Sequence, residues 1–321
     1  MKALCYSRYG DRSVIHFRER EPGDPGPGDV LVNVTAAAIN PIDWKLREGQ
    51  MKWIYPLKFP VTPGFDFCGT VAAIGKAVSN VRPGDRICGM SNRRAGAAMA
   101  EQCLCAAKAI ALVPKGLSDE EAAGLPLAGL TALQGLRDRG QLHAGMRVMV
   151  TGASGGVGHL AVQVARRRGC RVAAVCGPDN REWVEGLGAE EVLNYREPDW
   201  LRRAGVFDLI YDAVGTIGFG RARPHLRTGG SYVTTLPGPA IWLDQFIRAS
   251  IYRRRARTFL VKPSGVDLAE LLRACKAAKL RIRVDRSYDW KNFAEAFAHS
   301  EGGHARGKVV LTLGAPDASR T

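Results

Sequence analysis

The 321-residue sequence has no apolar run of the roughly 18 residues needed to cross a lipid bilayer. Residues 1–8 contain no extended apolar stretch either, so we predict no secretory signal. Cysteine is also scarce: eight residues are too few for a disulfide scaffold in a chain of this length, and no Cys-x-x-Cys pair occurs. We therefore expect free thiols in a reducing cytoplasm and no association with a membrane.

Acidic residues are outnumbered, with 31 Asp and Glu against 46 Lys and Arg, which gives a net charge of +15. A basic surface attracts phosphate-bearing ligands, nucleic acids and anionic membranes alike. The densest basic run is Arg253-Arg254-Arg255-Ala256-Arg257, which is short and has no interleaved aromatic residues. We interpret it as a solvated basic face, and nucleic-acid binding as a main role is the less favoured alternative.

The chain is long enough for about two domains. Residues 1–117 have the short strands and frequent turns of a β-rich module, with strands predicted at 29–34, 70–74 and 87–90. Residues 118–261 alternate strands with helices, and 262–321 return to mixed structure with a last strand at 308–313. In the middle segment the predicted strands are 147–151, 171–175, 191–194, 208–212, 231–235 and 258–261. This α/β alternation predicts a doubly wound parallel sheet with helices on both faces.

The most informative segment is a glycine-rich turn between a strand and a helix. The strand at 147–151 leads into Gly152-Ala153-Ser154-Gly155-Gly156-Val157-Gly158, and an amphipathic helix follows. Free amides at the start of a helix bind a pyrophosphate, and glycine lets the backbone approach it closely. The spacing is a variant of Gly-x-Gly-x-x-Gly, so we predict dinucleotide binding. The alternative is a glycine-rich turn without a ligand.

The residues after the second strand of this unit bear on the choice of nucleotide. An acidic residue at that strand's end would bind the ribose 2′-hydroxyl of NAD. The sequence has Cys176 and Gly177 there, which leaves room for a 2′-phosphate, with Arg181 supplying charge and Tyr195 a hydroxyl group. We therefore predict NADP(H), although Asp179 is an unfavourable neighbour for a phosphate. Arg181 could alternatively be an ordinary surface charge.

Several segments together resemble the medium-chain dehydrogenase/reductase superfamily, in its zinc-free quinone oxidoreductase branch. Besides the glycine-rich turn, they are 38–45 (AINPIDWK), 63–71 (PGFDFCGTV), 125–132 (LPLAGLTA), 187–195 (LGAEEVLNY) and 303–308 (GHARGK). The resemblance implies a GroES-like split β-barrel catalytic domain formed by 1–117 and 262–321, with a Rossmann cofactor-binding domain over 118–261. It also implies a homodimer formed through the last Rossmann strand, near 258–261.

A zinc site is not expected. Asn40 and Pro41 stand where Cys-His would be needed, and Gly64-Phe65-Asp66 stands where Gly-His-Glu would be needed. A structural zinc site requires four close cysteines, and only Cys103-x-Cys105 is offered, which we interpret as part of a strand.

The resemblance implies a set of site residues. Asn40 and Asp43 would lie at the active-site wall, and Thr131 would lie near the nicotinamide. The residues implied for cofactor binding are Thr131, Ser154, Gly155, Gly156, Val157, Gly177, Tyr195, Val214, Gly215, Leu260, Ala305 and Arg306. To these we add Arg181, from the argument above on the 2′-phosphate, and Tyr55 as a candidate proton donor. Alternative roles stay open: Asn40 and Asp43 as caps of the turn and helix that follow, Tyr55 as a packing residue, and Thr131 as a core threonine.

The predicted activity is zinc-independent hydride transfer from NADPH to a quinone or an activated alkene, that is, an α,β-unsaturated carbonyl compound. Without a metal to polarise the carbonyl, the acceptor must itself be electrophilic. A hydrogen bond from Asn40 or from the cofactor ribose hydroxyl would stabilise the developing enolate, and water or Tyr55 would supply the final proton. The alternatives are a zinc-free NADP-dependent alcohol dehydrogenase and an RNA-binding or redox-sensing protein that keeps the cofactor site. No motif identifies the acceptor. We expect the walls of the cleft that binds it in the stretches 50–58, 91–99 and 237–250.

Overall fold

The computed structural model describes residues 1–314 and divides into two compact units. Unit 1 comprises Met1–Leu127, Pro263–Ala278 and the chain from Ile282 onward, and unit 2 comprises Ala128–Lys262 and Lys279–Arg281. Residues 315–321, the end of the predicted last segment, lie outside the described part.

Strands and helices are numbered here in chain order. The strands are β1 Lys2–Cys5, β2 His16–Glu19, β3 Asp29–Ile39, β4 Asp66–Ile74, β5 Arg86–Met90, β6 Gln102–Ala106, β7 Ile110–Leu112, β8 Arg147–Thr151, β9 Arg171–Cys176, β10 Glu191–Asn194, β11 Phe207–Asp212, β12 Leu226–Thr234, β13 Arg255–Thr258, β14 Val284–Asp289 and β15 Lys308–Thr312. The α-helices are α1 Pro41–Arg47, α2 Asp119–Gly124, α3 Pro126–Gln134, α4 Gly158–Arg167, α5 Arg181–Glu185, α6 Trp200–Arg203, α7 Gly218–Ala222, α8 Pro239–Leu243, α9 Ala249–Ile251, α10 Gly265–Lys276 and α11 Phe293–Glu301.

Unit 1 is built around the long strand β3. Its sheet runs in the order β14-β15-β3-β4-β5-β7, with β6 also pairing with β3, and β1 and β2 form a separate antiparallel pair. Val30, Val32 and Val34 are buried at alternate positions of β3, the period of a strand with one face in the core. From Ala36 to Ile39 every residue is buried, and this end of β3 leads into the candidate site.

Helix α2 belongs to unit 1, so this unit extends to Leu127, whereas the sequence prediction began the middle domain at 118. Ser118 begins the helix with a capping box: its hydroxyl accepts from the Glu121 amide at 3.1 Å, and the Glu121 carboxylate accepts from the Ser118 amide at 3.0 Å. Residues 122–124 are buried because the helix packs on β3 and β4. The cap that marks a helix start in the sequence does not mark a domain boundary.

Unit 2 contains a six-stranded sheet in which all strands run parallel, in the order β10-β9-β8-β11-β12-β13. Counted within the unit this is the order 3-2-1-4-5-6, the doubly wound arrangement of dinucleotide-binding folds. Val148, Met149 and Val150 in β8 are fully buried, as expected for a central parallel strand covered on both faces.

The last strand of unit 2 lies earlier than predicted. It is β13 Arg255–Thr258 and pairs with β12, whereas the prediction of 258–261 was wrong except for its first residue. The apolar residues Phe259, Leu260 and Val261 made that stretch look like a strand. The true strand carries Arg255 and Arg257 and lies at an edge of the described sheet, where a strand need not be apolar.

Two further observations concern membrane-spanning helices and the state of the cysteines. Among residues 1–314 we find no helix whose length and apolar character would let it span a bilayer. All eight cysteines are free thiols, and seven of them are buried. Cys103 and Cys105 lie in β6, as predicted.

Candidate active site

A cluster of buried polar side chains lies in unit 1, where strands β3, β4 and β15 meet helix α1. It consists of Asn40, Asp43, Asp66 and Lys308, each at most 3% exposed. Asn40 directly follows β3, and Asp66 and Lys308 begin β4 and β15. The strand register pairs Ala38 with Asp66 and Ile39 with Val309, so the backbone brings these side chains together. We call this group the Lys308 cluster.

Hydrogen bonds connect the members of the Lys308 cluster. The Lys308 ammonium donates to Asn40 Oδ1 and, at 3.3 Å, to Asp66 Oδ2. Asn40 Nδ2 donates to Asp66 Oδ2 at 2.9 Å, and Asp66 Oδ1 accepts from the Leu127 amide at 2.7 Å. Burial raises the pKa of Asp66, while the charge of Lys308 and the Asn40 amide act in the opposite direction. The buried cation of this cluster is thus matched to a carboxylate that three N–H donors surround.

The Asn40 side chain has no free donor in this arrangement. One N–H goes to Asp66 and the other to the Ala38 carbonyl at 3.3 Å, while its oxygen accepts from Lys308. The expectation that Asn40 donates to a developing enolate is therefore revised: Asn40 is a positioning residue that joins β3 to β4 and β15. Sequence reasoning missed Lys308 and Asp66 as partners of Asn40. Nothing in the sequence around these two residues indicates that they contact Asn40.

Asp43 is the third residue of helix α1 and bonds back to the start of the helix, whereas the role that the sequence left open for it was the N-cap of a helix that follows it. Its Oδ2 accepts from the Asn40 amide at 2.7 Å and its Oδ1 from the Gly64 amide at 3.2 Å. Burial raises the pKa of Asp43 to about 7, and the nearby Asp66 adds to this, whereas the two amides and Lys308 lower it. Asp43 therefore titrates close to neutral pH inside unit 1.

This titration predicts that unit 1 loses stability as the pH rises. The folded state holds the Asp43 proton up to about pH 7, whereas the unfolded chain releases it near the ordinary value of 3.8. Between these values the folded state binds more protons, so the free energy of unfolding falls with rising pH, by at most about 1.4 kcal/mol per pH unit. Asp43→Asn should remove this contribution, as measured by urea unfolding between pH 4 and 7.

The control for this prediction is Asp24→Asn, which removes an exposed carboxyl group from the same unit. That variant should keep the wild-type dependence on pH. Equal slopes for the wild type and Asp43→Asn would show that Asp43 does not carry the effect.

Tyr55 lies half-buried in the segment after α1, with the Arg94 guanidinium 4.7 Å from its ring centre. Burial raises the pKa of its hydroxyl group, and the Arg94 charge acts against this. The phenol is therefore protonated at neutral pH and is chemically able to donate a proton.

In unit 2, the glycine-rich turn joins β8 to α4 with very close backbone contacts. A Cβ atom on Gly158 would lie 2.0 Å from the Gly152 carbonyl oxygen, and Gly152 itself has a φ of +59°. No side chain caps α4, and the first amides of a helix have no partner within the helix. With the positive end of the helix dipole, these amides fit the pyrophosphate of a dinucleotide.

Other predicted cofactor residues lie at the same edge of this sheet, because the carboxyl ends of parallel strands lie together. Residues 154–157 follow β8, Gly177 follows β9, Tyr195 follows β10, and Val214 and Gly215 follow β11. A Cβ on Gly177 would lie 3.6 Å from the Tyr195 hydroxyl oxygen, and one on Gly152 would lie 2.5 Å from Val214 Cγ1. The structure thus brings this part of the predicted set together.

The remaining predicted residues have varied surroundings. Thr131 lies in α3 and is 7% exposed, and its carbonyl accepts from the Tyr211 hydroxyl at 2.9 Å. Arg181 is exposed and forms an ion pair with Glu185 at 2.9 Å. Leu260 is exposed in unit 2, whereas Ala305 and Arg306 belong to unit 1 and are separated from the last strand by Gly307.

Sequence reasoning also missed Asp212, the buried residue that ends β11. Its Oδ1 accepts from the Thr151 hydroxyl at 2.5 Å and the Gly215 amide at 2.9 Å, and its Oδ2 from the Tyr232 hydroxyl at 2.8 Å and the Ile217 amide at 3.1 Å. These bonds fix the loop after β11 beside β8, where the strand order reverses. An acidic residue at the end of an apolar strand was the available signal.

Comparison with known proteins agrees with this architecture. Residues 26–124 match the family described as alcohol dehydrogenase GroES-like domain, and residues 187–311 match the family described as zinc-binding dehydrogenase. The chain is 32% identical to the chloroplast envelope quinone oxidoreductase homolog of Arabidopsis thaliana, over 97% of this chain and 98% of the relative. It is 31% identical to the chloroplastic NADPH-dependent alkenal/one oxidoreductase of the same plant, covering 97% and 79%.

Among solved structures, the quinone oxidoreductase from Coxiella burnetii matches with a TM-score of 0.88 and 30% identity, covering 98% of this chain and 99% of that one. The chain belongs to the medium-chain dehydrogenase/reductase superfamily, among the quinone oxidoreductases, and is an oxidoreductase. Its fold is the GroES-like domain combined with a Rossmann sheet, and membership implies a nicotinamide cofactor.

A zinc ion, which one family description mentions, does not fit the residues of the described part. Zinc needs three or four Cys, His or carboxylate ligands, and residues 1–314 contain no group of three or more such side chains that could hold a metal. Of the positions considered for zinc ligands, Asn40 and Asp66 have side chains that instead bind the Lys308 ammonium.

Proposed function

We propose that this chain is a zinc-independent reductase that uses NADPH to reduce quinones or α,β-unsaturated carbonyl compounds. The observation that carries the proposal is that one chain contains both features. Unit 2 has a glycine turn that fits a pyrophosphate, and unit 1 has a buried lysine bound to Asn40 and Asp66. The names of the relatives, as quinone and alkenal/one oxidoreductases, support the acceptor class. A bound NADPH supplies the hydride.

The chain's own residues have distinct parts in this proposal. The amides of Ser154, Gly156 and Val157 bind the pyrophosphate, while the Gly155 amide donates to the Gly152 carbonyl at 2.9 Å, and Asp212 keeps the neighbouring loop in place. Tyr55 is the proposed proton donor to the reduced acceptor, because its phenol stays protonated at neutral pH. The Lys308 cluster fixes the entry to α1 and thereby positions the segment that leads to Tyr55. Since no metal polarises the acceptor, only electrophilic carbonyl compounds are expected to react.

The activity test follows the absorbance of NADPH with the purified chain and a panel of acceptors that includes 1,4-naphthoquinone, an aryl enone and an alkenal. Oxidation with at least one quinone or enone is expected. Inertness to the whole panel would contradict the proposal. Oxidation of saturated alcohols with NADP⁺ in its place would identify the alcohol dehydrogenase alternative, and steeply salt-dependent RNA binding without NADPH oxidation would identify the RNA-binding one.

The preference for NADPH over NADH is proposed to depend on Arg181. Its guanidinium would leave Glu185 and form a charge-assisted bond to the 2′-phosphate beside Gly177 and Tyr195. Arg181→Ala is expected to lower the ratio of kcat/KM for NADPH to that for NADH by about tenfold, which corresponds to about 1.4 kcal/mol.

The matched control is Arg202→Ala, which removes another exposed, ion-paired arginine of unit 2. It should leave the nucleotide ratio unchanged. An unaltered ratio in Arg181→Ala as well would remove Arg181 from the proposed cofactor site.

We also propose that the chain forms a homodimer through β13, without nucleic-acid or membrane partners. In the described sheet β13 pairs with β12 alone, so its outer backbone groups are available for a second copy. Light scattering should give twice the 34.7 kDa mass of one chain. A mass of one chain at working concentration would count against it.

A cytoplasmic location is proposed on the strength of the free thiols, which suit a reducing compartment. Cell fractionation with a marker for each compartment tests it, and recovery of the chain in an oxidising or membrane fraction would contradict it.

A further inference from the structure

A basic pocket in unit 1 is used by none of the roles described above. Its volume is about 420 Å³, within the range of sites for small organic ligands. Two segments form it, residues 56–62 and 93–97, which overlap two of the stretches where the sequence predicted the walls for the acceptor.

The charges at this pocket are of one sign. Lys58, Arg93 and Arg94 line it, and no carboxylate does. Arg20 adds a fourth cation by donating to the lining residue Thr62 at 2.8 Å. Arg93 forms an ion pair with Asp29 at 2.9 Å, whereas Lys58 and Arg94 form no ion pair within residues 1–314. The pocket therefore has more positive charge than the chain around it neutralises.

The remaining lining is mostly apolar, with proline, leucine, valine and alanine side chains at Pro56, Leu57, Pro60, Val61 and Ala95. A small inorganic ion would leave this surface uncovered. The combination suits an organic anion, in which an acidic group meets the cations and a hydrocarbon or aromatic body covers the apolar wall.

The pocket is held in shape by its backbone. The amide of Ala97 donates to the Thr62 carbonyl at 3.1 Å and joins the two segments. Ala97 has a φ of +81°, which is costly for a residue other than glycine. A Cβ on Gly96 would lie 1.9 Å from the Gly64 carbonyl oxygen, so this turn is pressed against Gly64. A preformed pocket loses less entropy on binding than a flexible one.

The same contacts connect the pocket to the candidate active site within unit 1. Gly64 also donates to Asp43. Tyr55, the proposed proton donor, precedes the lining residue Pro56, and Arg94 of the pocket lies over its ring. One end of a ligand bound between Lys58 and Arg94 would therefore lie next to Tyr55.

We propose that this pocket binds the acidic group of the substrate, so that the enzyme prefers quinones or enones carrying a carboxylate over neutral compounds of the same shape. The inference rests on the proposed function, because it assumes that the acceptor is reduced beside Tyr55. Lys58 and Arg94 are the residues that would determine this specificity.

The test compares two aryl enones that differ only at the para position, 4-(3-oxobut-1-enyl)benzoate and its carboxamide. In the wild type, kcat/KM should be about tenfold or more higher for the carboxylate. Exposed charges have modest individual effects, so Lys58→Gln and Arg94→Gln should each lower this ratio about threefold, and the double variant should bring it close to one. The ratio should also fall at high salt.

Arg82→Gln is the matched control, since it removes an exposed arginine of unit 1 outside the pocket. Its ratio should equal that of the wild type. A wild-type ratio near one, or a ratio that the double variant does not change, overturns the inference about the pocket. Turnover of the carboxamide in that case leaves the proposed function standing.

A binding measurement separates the two ideas if neither enone is reduced. Calorimetry with the saturated analogue 4-(3-oxobutyl)benzoate should detect binding to the wild type and to Arg82→Gln, and about tenfold or more weaker binding to the double variant. In that case the pocket stands and the proposed function fails. Equal affinities, or no binding to the wild type, overturn the pocket itself.

Discussion

Lys308→Met is expected to lower the free energy of unfolding of unit 1 by about 3 to 5 kcal/mol at neutral pH, because it leaves a buried carboxylate without its cation. Asp66 is fully buried and Lys308 is 3% exposed, so water cannot replace the lost partner without opening the core. Asn40 Oδ1 also loses its donor. Chemical denaturation followed by ellipticity and fluorescence measures the effect.

Two further variants identify its cause. Asp66→Asn introduced into Lys308→Met should restore part of the stability, because it removes the unpaired charge, and the deficit of the single variant should shrink at acid pH as Asp66 takes up a proton. Lys291→Met, a change at an exposed lysine of the same unit, should stay within about 0.5 kcal/mol of the wild type. Wild-type stability in Lys308→Met would mean that the Lys308 cluster does not hold this end of β3.

Gly158→Ala is expected to weaken NADPH binding by about 100-fold or more, since bonds to a charged group contribute about 1.5 to 3 kcal/mol each and the turn would lose more than one. The added Cβ would lie 2.0 Å from the Gly152 carbonyl oxygen and 2.8 Å from the Ala153 Cα. Both are backbone atoms, so the turn must move away from the start of α4. Titration calorimetry with NADPH measures the affinity.

The matched control is Gly220→Ala in the same unit, where an added Cβ meets nothing within 4 Å. It should bind NADPH like the wild type. Circular dichroism of Gly158→Ala should show a retained fold, so that lost binding reports on the turn. Unchanged affinity in Gly158→Ala with an intact fold would contradict the close-contact account of this turn.

The sheet of unit 2 could be predicted well from the sequence because its central strands are short apolar runs with polar ends. The predicted bounds 147–151 are those of the central strand β8, and the bounds 191–194 are those of β10, an edge strand that is itself partly apolar. The edge strand β13 was misplaced for the same reason, since an edge strand need not be apolar and a neighbouring apolar segment resembled one. Helix α2 was recognised from its cap, but its assignment to unit 1 depends on packing against β3 and β4, which local sequence does not encode.

The candidate site was predictable where a residue's role depends on its neighbours in the chain. The turn at 152–158 and the capping by Asp43 are of this kind. The partner of Asn40 was not predictable, because Lys308 lies 268 positions away and is brought near only by the pairing of β15 with β3. The sequence pattern therefore predicts a substrate donor at Asn40, whereas the fold uses both N–H groups of its side chain. Most other assigned site residues, including Thr131, Leu260, Ala305 and Arg306, stay predictions.

Above all, we propose that the chain reduces electrophilic acceptors with NADPH while Asn40 and Asp66 bind the Lys308 ammonium instead of a zinc ion. The most direct measurement is the zinc content of the purified chain together with its NADPH oxidation by 1,4-naphthoquinone before and after exhaustive treatment with a chelator. We predict far less than one zinc per chain and unchanged activity. Stoichiometric zinc, with activity that is lost on chelation and returns when zinc is added, would contradict the account.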